Sequence, residues 1–126
     1  MKLEVNMVVS NAREAADYYS NLFNATILSK TDETSEMNET RMKLGNTEIR
    51  VLNENKDYGL IAPSEGSTSS MWLNLYVKDI ESSFNNAVSQ GCKVISPIND
   101  FPEIPARNAV ISDKFNHVWV INQKYD

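Results

Sequence analysis

The chain carries the same pattern twice. Residues 3–28 read as a strand, a turn and an amphipathic helix, and residues 71–95 read the same way. Placing Ser10-Asn11 on Lys78-Asp79 sets the offset at 68 residues. Leu3, Val5, Met7 and Val9 then fall on Met71, Leu73, Leu75 and Val77, while Glu4, Asn6 and Val8 fall on Trp72, Asn74 and Tyr76. Side chains along a strand alternate between two faces, so a slip of one residue would exchange the apolar set for the polar one. A unit duplicated in this way implies a curved sheet around a cleft, with the second, polar and aromatic set lining it.

The remaining elements follow from local chemistry. Asn11 is placed to cap a helix over Ala12 to Phe23, with Glu14 three residues on as in a capping box. Ala15, Ala16, Tyr19, Leu22 and Phe23 share one face of it, Tyr18 falls at its margin, and Asn24 suits a left-handed helix end. Thr26 to Lys30 is a short strand, and Asp32 to Glu39 an acidic, solvated stretch. Thr40 to Leu44 and Thr47 to Leu52 form a hairpin about Gly45-Asn46. Residues 53–70, with Gly59, Pro63, Gly66 and a Ser/Thr run, connect the halves. In the second half Met71 to Val77 is a strand. Asp79 caps a helix over Ile80 to Gln90, with Ile80, Phe84, Ala87 and Val88 on its apolar face, and Gly91 stops it. Cys92 to Ile95 is a strand and Pro97 to Pro105 a loop. Arg107 to Ser112 and His117 to Asn122 are the last strands, joined by Asp113-Lys114-Phe115-Asn116. Each half therefore reads β-α-β-β-β. The expected fold is α+β: two β-α-β-β-β modules forming a curved mixed sheet around a cleft, with the helices on the outer face. The chain is expected to be a single domain, with module 1 at about 1–53, a linker at about 54–70 and module 2 at about 71–126.

Composition removes several functions. A net charge of -5 with no Lys/Arg stripe argues against nucleic acid and anionic membranes. No segment approaches the roughly 20 apolar residues of a membrane span, and Met1 to Val9 is too short and too polar for a signal peptide. Cys92 is the only cysteine, which rules out an internal disulfide and fits a cytoplasmic location. It sits between apolar residues after Gly91 and reads as a small buried hydrophobe rather than a reactive thiol.

Three stretches resemble a known family. Asn11-Ala-Arg-Glu-Ala-Ala-Asp-Tyr-Tyr-Ser-Asn-Leu-Phe23 resembles the first helix of the vicinal-oxygen-chelate superfamily, which includes glyoxalases, extradiol dioxygenases and bleomycin-resistance proteins. Leu75-Tyr-Val-Lys-Asp79 is similar to its second-module strand ending in Val-x-Asp. Asp113-Lys-Phe-Asn-His-Val-Trp119 resembles its Asp-Pro-Phe-Gly-His-x-Trp turn, a form common in the phosphonate-operon glyoxalase-like subgroup. Lys114 and Asn116 replace Pro and Gly there, and Asn tolerates the left-handed conformation of such a turn.

The resemblance implies where a metal would be held. Enzymes of the family place four His, Glu or Gln ligands on the first and last strands of the modules. The matching positions here are Glu4, Arg50, Trp72 and Val120. Arg is a permanent cation, Trp offers only a donor and Val has no donor atom, so Glu4 alone qualifies and no metal or other cofactor is expected. By inward parity the cleft is lined by Glu4, Asn6, Glu48, Arg50, Trp72, Asn74, Tyr76 and Asn122, with Arg107 a further ligand candidate. Arg50 is suited to a carboxylate or phosphate, or else simply pairs with Glu4. Trp72 and Tyr76 are suited to stacking on a flat or cationic ligand. His117 has no recognisable nucleophile beside it and reads as a turn residue bonded to backbone. Phe101 and Pro102 lie in a loop that covers the cleft or meets a partner subunit. Trp119 alternates out of the cleft into the core.

Two functions follow. One is a metal-free binding module, a homodimer whose cleft takes a small aromatic or anionic molecule. The other is a glyoxalase- or dioxygenase-like metalloenzyme acting on a small oxygenated substrate.

Overall fold

The computed structural model describes residues 1–31, 38–67, 70–101 and 106–125, and the chain divides into two compact units, Met1–Pro63 and Ser64–Asp126. Most of the acidic stretch at 32–39, and the loop residues 102–105 with Pro102, lie outside the described residues.

In the first unit β1 (Val5–Val9), α1 (Ala12–Phe23), β2 (Thr26–Lys30), β3 (Glu39–Leu44) and β4 (Thr47–Asn53) build a four-stranded sheet in the order β1-β4-β3-β2. β1 and β4 run parallel, and the other pairings are antiparallel. The second unit repeats this with β5 (Leu73–Tyr76), α2 (Ile80–Ser89), β6 (Lys93–Phe101), β7 (Ala106–Ser112) and β8 (Val118–Lys124), in the order β5-β8-β7-β6. The strands thus fall into two sheets, each built from one repeat.

The repeat extends to individual hydrogen bonds. Asn11 and Asp79, 68 residues apart, take extended backbone and cap their helices by accepting from the amides of Glu14 and Ser82. The first helical amide of each module, at Ala12 or Ile80, donates to a side-chain amide oxygen on the last strand, Asn53 or Gln123, at 2.7 Å. One donor that a helix end leaves orphaned is thereby satisfied, and the helix is pinned to the strand it packs on. A β-bulge lies near the middle of β2 and recurs in β6.

Packing follows the alternation. In the first module Met7, Val9, Met42, Ile49 and Val51 are buried on the face that meets Ala12, Ala15, Ala16, Tyr19 and Leu22 of α1. Each fully buried Met or Val contributes about 1.5–3 kcal/mol. Tyr18, expected at the margin of the helix face, is buried at 7% exposure. Its ring lies 5.5 Å from that of Tyr19, so the apolar stripe is wider than the strict helical spacing suggests. In the second module Trp119, Ile121, Ala109 and Ile111 form the sheet side of the core, with Ile80 and Ala87 from α2. Val88, read as part of that face, is exposed. Cys92 is buried.

β6 differs from expectation. The sequence starts a loop at Pro97, but the strand runs on to Phe101. β6 lies at the edge of its sheet, where a missing amide costs no interior ladder bond.

The turn from β7 to β8 explains its own sequence. The Asp113 carboxylate is buried and accepts from the amides of Phe115 (2.8 Å) and His117 (3.1 Å) and from the Trp119 indole N–H (2.8 Å). The Asp113 amide donates to the His117 carbonyl, and Asn116 takes the left-handed φ of 69°. The His117 amide thus bonds the Asp113 carboxylate, and its carbonyl bonds the Asp113 amide.

Candidate functional site

Each sheet packs one face under its helix, and the candidate residues stand on the other face. In the first module the pairings Asn6 with Arg50, Arg41 with Arg50, and Lys43 with Glu48 place β1, β4 and β3 side chains in rows across the open face. Glu39, Arg41, Lys43, Glu48 and Arg50 make most of that face charged. Arg50 donates from Nη2 to Glu39 at 3.1 Å and from Nη1 to Glu4 at 3.5 Å, while Lys2 pairs with Glu4 at 3.3 Å. Arg41 pairs with Glu48 through both Nε and Nη2. The Arg50 Nε is buried and has no hydrogen-bond partner among the described residues. A recess of about 70 Å³ opens against Lys2, Glu4, Glu48 and Arg50. Four residues named from the sequence, Glu4, Asn6, Glu48 and Arg50, share this module and this face. Glu39 and Arg41, which the sequence reading does not name for the site, hold Arg50 and Glu48 respectively on this face. The alternation Glu39-Thr40-Arg41-Met42-Lys43-Leu44, charged then buried, was the available signal.

In the second module the pairings Asn74 with Val120 and Tyr76 with Asn122 set the open face of β5 and β8. Asn122 is buried and donates to the carbonyl of Val120 at 3.1 Å and to Asn74 Oδ1 at 3.5 Å. Tyr76 and Trp72 are exposed, and the Lys124 ammonium stands 5.1 Å from the Tyr76 ring centre. Tyr76 thus already receives a cation on its π face. Phe101 ends β6 and is exposed.

Arg107 does not join these residues. It pairs with Gln123, whose side chain reaches the start of α2, so its parity is that of the helix-covered face. There its guanidinium donates to Asp100 at 3.0 Å and to Glu81 of α2 at 3.3 Å. Partial burial works against the cation, but the bond to Glu81 and the charge of Asp100 outweigh it and hold the Arg107 pKa above its ordinary value. Tyr125 donates its phenol to the same Asp100 at 2.8 Å. That bond, followed by desolvation and the negative charge of Asp100, raises the tyrosine pKa against an opposing effect of Arg107.

The donor set does not suit a divalent ion. Of the four positions that the resemblance matches to ligands, Arg50 is a fixed cation bonded to Glu4 and Glu39. Trp72 brings only an N–H donor, and Val120 is a buried hydrocarbon. Glu4 is the one remaining ligand atom source, and it already faces Lys2 and Arg50. Among the described residues no three His, Cys, Asp or Glu side chains stand together in a metal-holding group. These residues do not fit the oxygen- and nitrogen-rich sites that such ions require.

The class this fold defines, paired β-α-β-β-β modules, agrees with the comparisons. The sequence model of the Glyoxalase/Bleomycin resistance protein/Dioxygenase superfamily matches residues 3–121. The chain belongs to that superfamily. No curated protein sequence matches it. Among solved structures it is similar to TioX from Micromonospora sp. ML1, with a TM-score of 0.76 at 16% identity, covering 99% of each chain. It is similar to the fosfomycin resistance protein FosX from Listeria monocytogenes in complex with Mn(II) and sulfate (TM-score 0.75, 11% identity, 99% of this chain and 90% of that one). It is also similar to FosX from Mesorhizobium loti (TM-score 0.71, 12% identity, 96% and 89%). At these identities the likeness is one of fold. No helix among the described residues is long and apolar enough to cross a membrane.

Proposed function

We propose that this protein is a metal-free small-molecule binding protein of the glyoxalase/bleomycin-resistance type. The observation that carries the reading is Arg50, held between Glu4 and Glu39 at a position where the family's enzymes place a metal ligand. A guanidinium there excludes a second cation and offers an anion a planar, always charged partner. Its buried Nε has no hydrogen-bond partner among the described residues. In the second module the exposed rings of Trp72 and Tyr76, with Asn74 and Asn122 beside them, supply stacking and hydrogen-bonding groups. The ligand chemistry that these groups suit is a small aromatic or anionic compound. Two of the structurally similar proteins are fosfomycin resistance proteins, and one was crystallised with Mn(II), but among the described residues of the present chain no group of three His, Cys, Asp or Glu stands ready for such an ion. Within the superfamily we place the chain nearest the phosphonate-operon subgroup, on the strength of the Asp113–Trp119 turn. Homodimerisation and a cytoplasmic setting belong to the same proposal. Exposed Met71 and Trp72 in the second unit, and Tyr58 and Ile61 in the first, are large apolar side chains of the kind a partner subunit covers.

The test is a thermal-shift screen of aromatic carboxylates and phosphonates, followed by titration of the best compound into Arg50→Ala and Trp72→Ala. Both variants are expected to remain folded and to lose at least tenfold in affinity. Unchanged affinity in Arg50→Ala would remove the reading of this face as an anion receptor.

A further inference from the structure

The second module contains a further cavity, on the same face of its sheet as Val120 and Asn122 but lined by neither. Its volume is about 400 Å³, within the ~300–1,000 Å³ of small-molecule sites. The floor is built from three strands in register. Lys93 of β6 pairs with Ser112 of β7, which pairs with Val118 of β8, so their side chains share one face. Val94 and Ile95, at the bulge of β6, add apolar wall and are exposed. The opposite wall is the turn Ser64–Ser67. It is closed by the amide and hydroxyl of Ser67 on the Ser64 carbonyl, with Gly66 at φ +75°. Across the mouth Glu65 forms an ion pair with Lys93.

Lys93 therefore already holds a carboxylate at the rim of an aliphatic-walled cavity. The pair is well exposed, at 66% and 70% of the two side chains, and exposed pairs hold weakly. An incoming carboxylate can take the place of Glu65 on the ammonium, and its hydrocarbon part then lies along Val94, Ile95 and Val118. We propose that the cavity is a binding site for a small apolar carboxylate, with Lys93 receiving the carboxylate and Glu65 acting as the internal competitor for it. The serine hydroxyls of Ser64 and Ser112 give the rim polar character suited to the same head group.

The test uses octanoate as probe and 1-octanol as the control that lacks the charge, each titrated into the isotope-labelled full chain and followed by amide NMR shifts. Octanoate is expected to move the amides of residues 64–67, 93–95, 112 and 118. Lys93→Met is expected to weaken octanoate at least tenfold and leave octanol unchanged. Glu65→Gln is expected to tighten octanoate several-fold, because the competitor is gone. Both positions are exposed, so unfolding midpoints close to the parent's will certify the variants. Shifts confined to other residues, equal octanoate affinity in Lys93→Met, or weaker binding in Glu65→Gln would each overturn the proposal.

Discussion

Asp113 and Trp119 should be coupled energetically in a way that depends on one proton. The Asp113 carboxylate accepts from two backbone amides at Oδ1 and from the Trp119 indole at Oδ2, and both side chains are buried. Asp113→Asn keeps an oxygen for the amides but turns an NH₂ group toward the indole N–H, so two donors face each other. Loss of a bond to a charged acceptor, together with an unsatisfied buried donor, costs about 3 kcal/mol. Trp119→Phe removes the indole donor and costs about 2 kcal/mol, through the lost bond and the lost ring volume. In the Trp119→Phe background the asparagine no longer opposes a donor, and Asp113→Asn should cost only about 1 kcal/mol. The coupling is then about 2 kcal/mol, within the range for residues in direct contact. Urea unfolding of the four proteins, followed by both circular dichroism and tryptophan fluorescence, gives the cycle. Costs that add to within about 0.5 kcal/mol would refute the argument that the indole–carboxylate bond organises this turn.

Two further outcomes follow from the geometry. Gln123→Ala and Asn53→Ala should each cost about 1 kcal/mol, because each frees the first amide of a helix, and hydrogen exchange should quicken at Ile80 or Ala12 respectively. Tyr125 has a folded pKa raised above its ordinary value of 10.0, so its contribution to stability is present below pH 10 and is lost as pH rises through the folded value. Urea midpoints between pH 8 and 11 should fall less steeply in Tyr125→Phe, and identical slopes would contradict the bond to Asp100.

Much of the architecture could be read from the residues because local and global signals coincide. The alternation at Leu3–Val9, the caps Asn11 and Asp79, and the two-residue Gly45-Asn46 turn each admit few alternatives. Three features were not legible, each because a pairing decides it. Pro97 terminates an interior strand but not an edge strand, and edge position is a property of the sheet. Arg107 faces the helix because β7 registers Arg107 on Gln123, and register across a loop is not written in either strand. Glu39 joined Arg50 only once β3 was placed beside β4. On the open faces themselves the sequence named Glu4, Asn6, Glu48 and Arg50 together, and Trp72, Asn74, Tyr76 and Asn122 together. It does not reveal that two carboxylates hold Arg50, since Glu39 closes a stretch whose composition suits solvent.

The central claim is that a fixed guanidinium stands where this family's enzymes hold a metal ligand. It is tested most directly by calorimetric titration of the metal-stripped protein with Mn(II), Ni(II) and Zn(II), repeated on Arg50→His, which offers an imidazole beside Glu4. The parent is expected to give no stoichiometric binding, and the variant to gain measurable affinity for Ni(II) or Zn(II). Tight one-to-one binding by the parent, with a matching rise in melting temperature, would contradict the account and return the protein to the metalloenzyme reading.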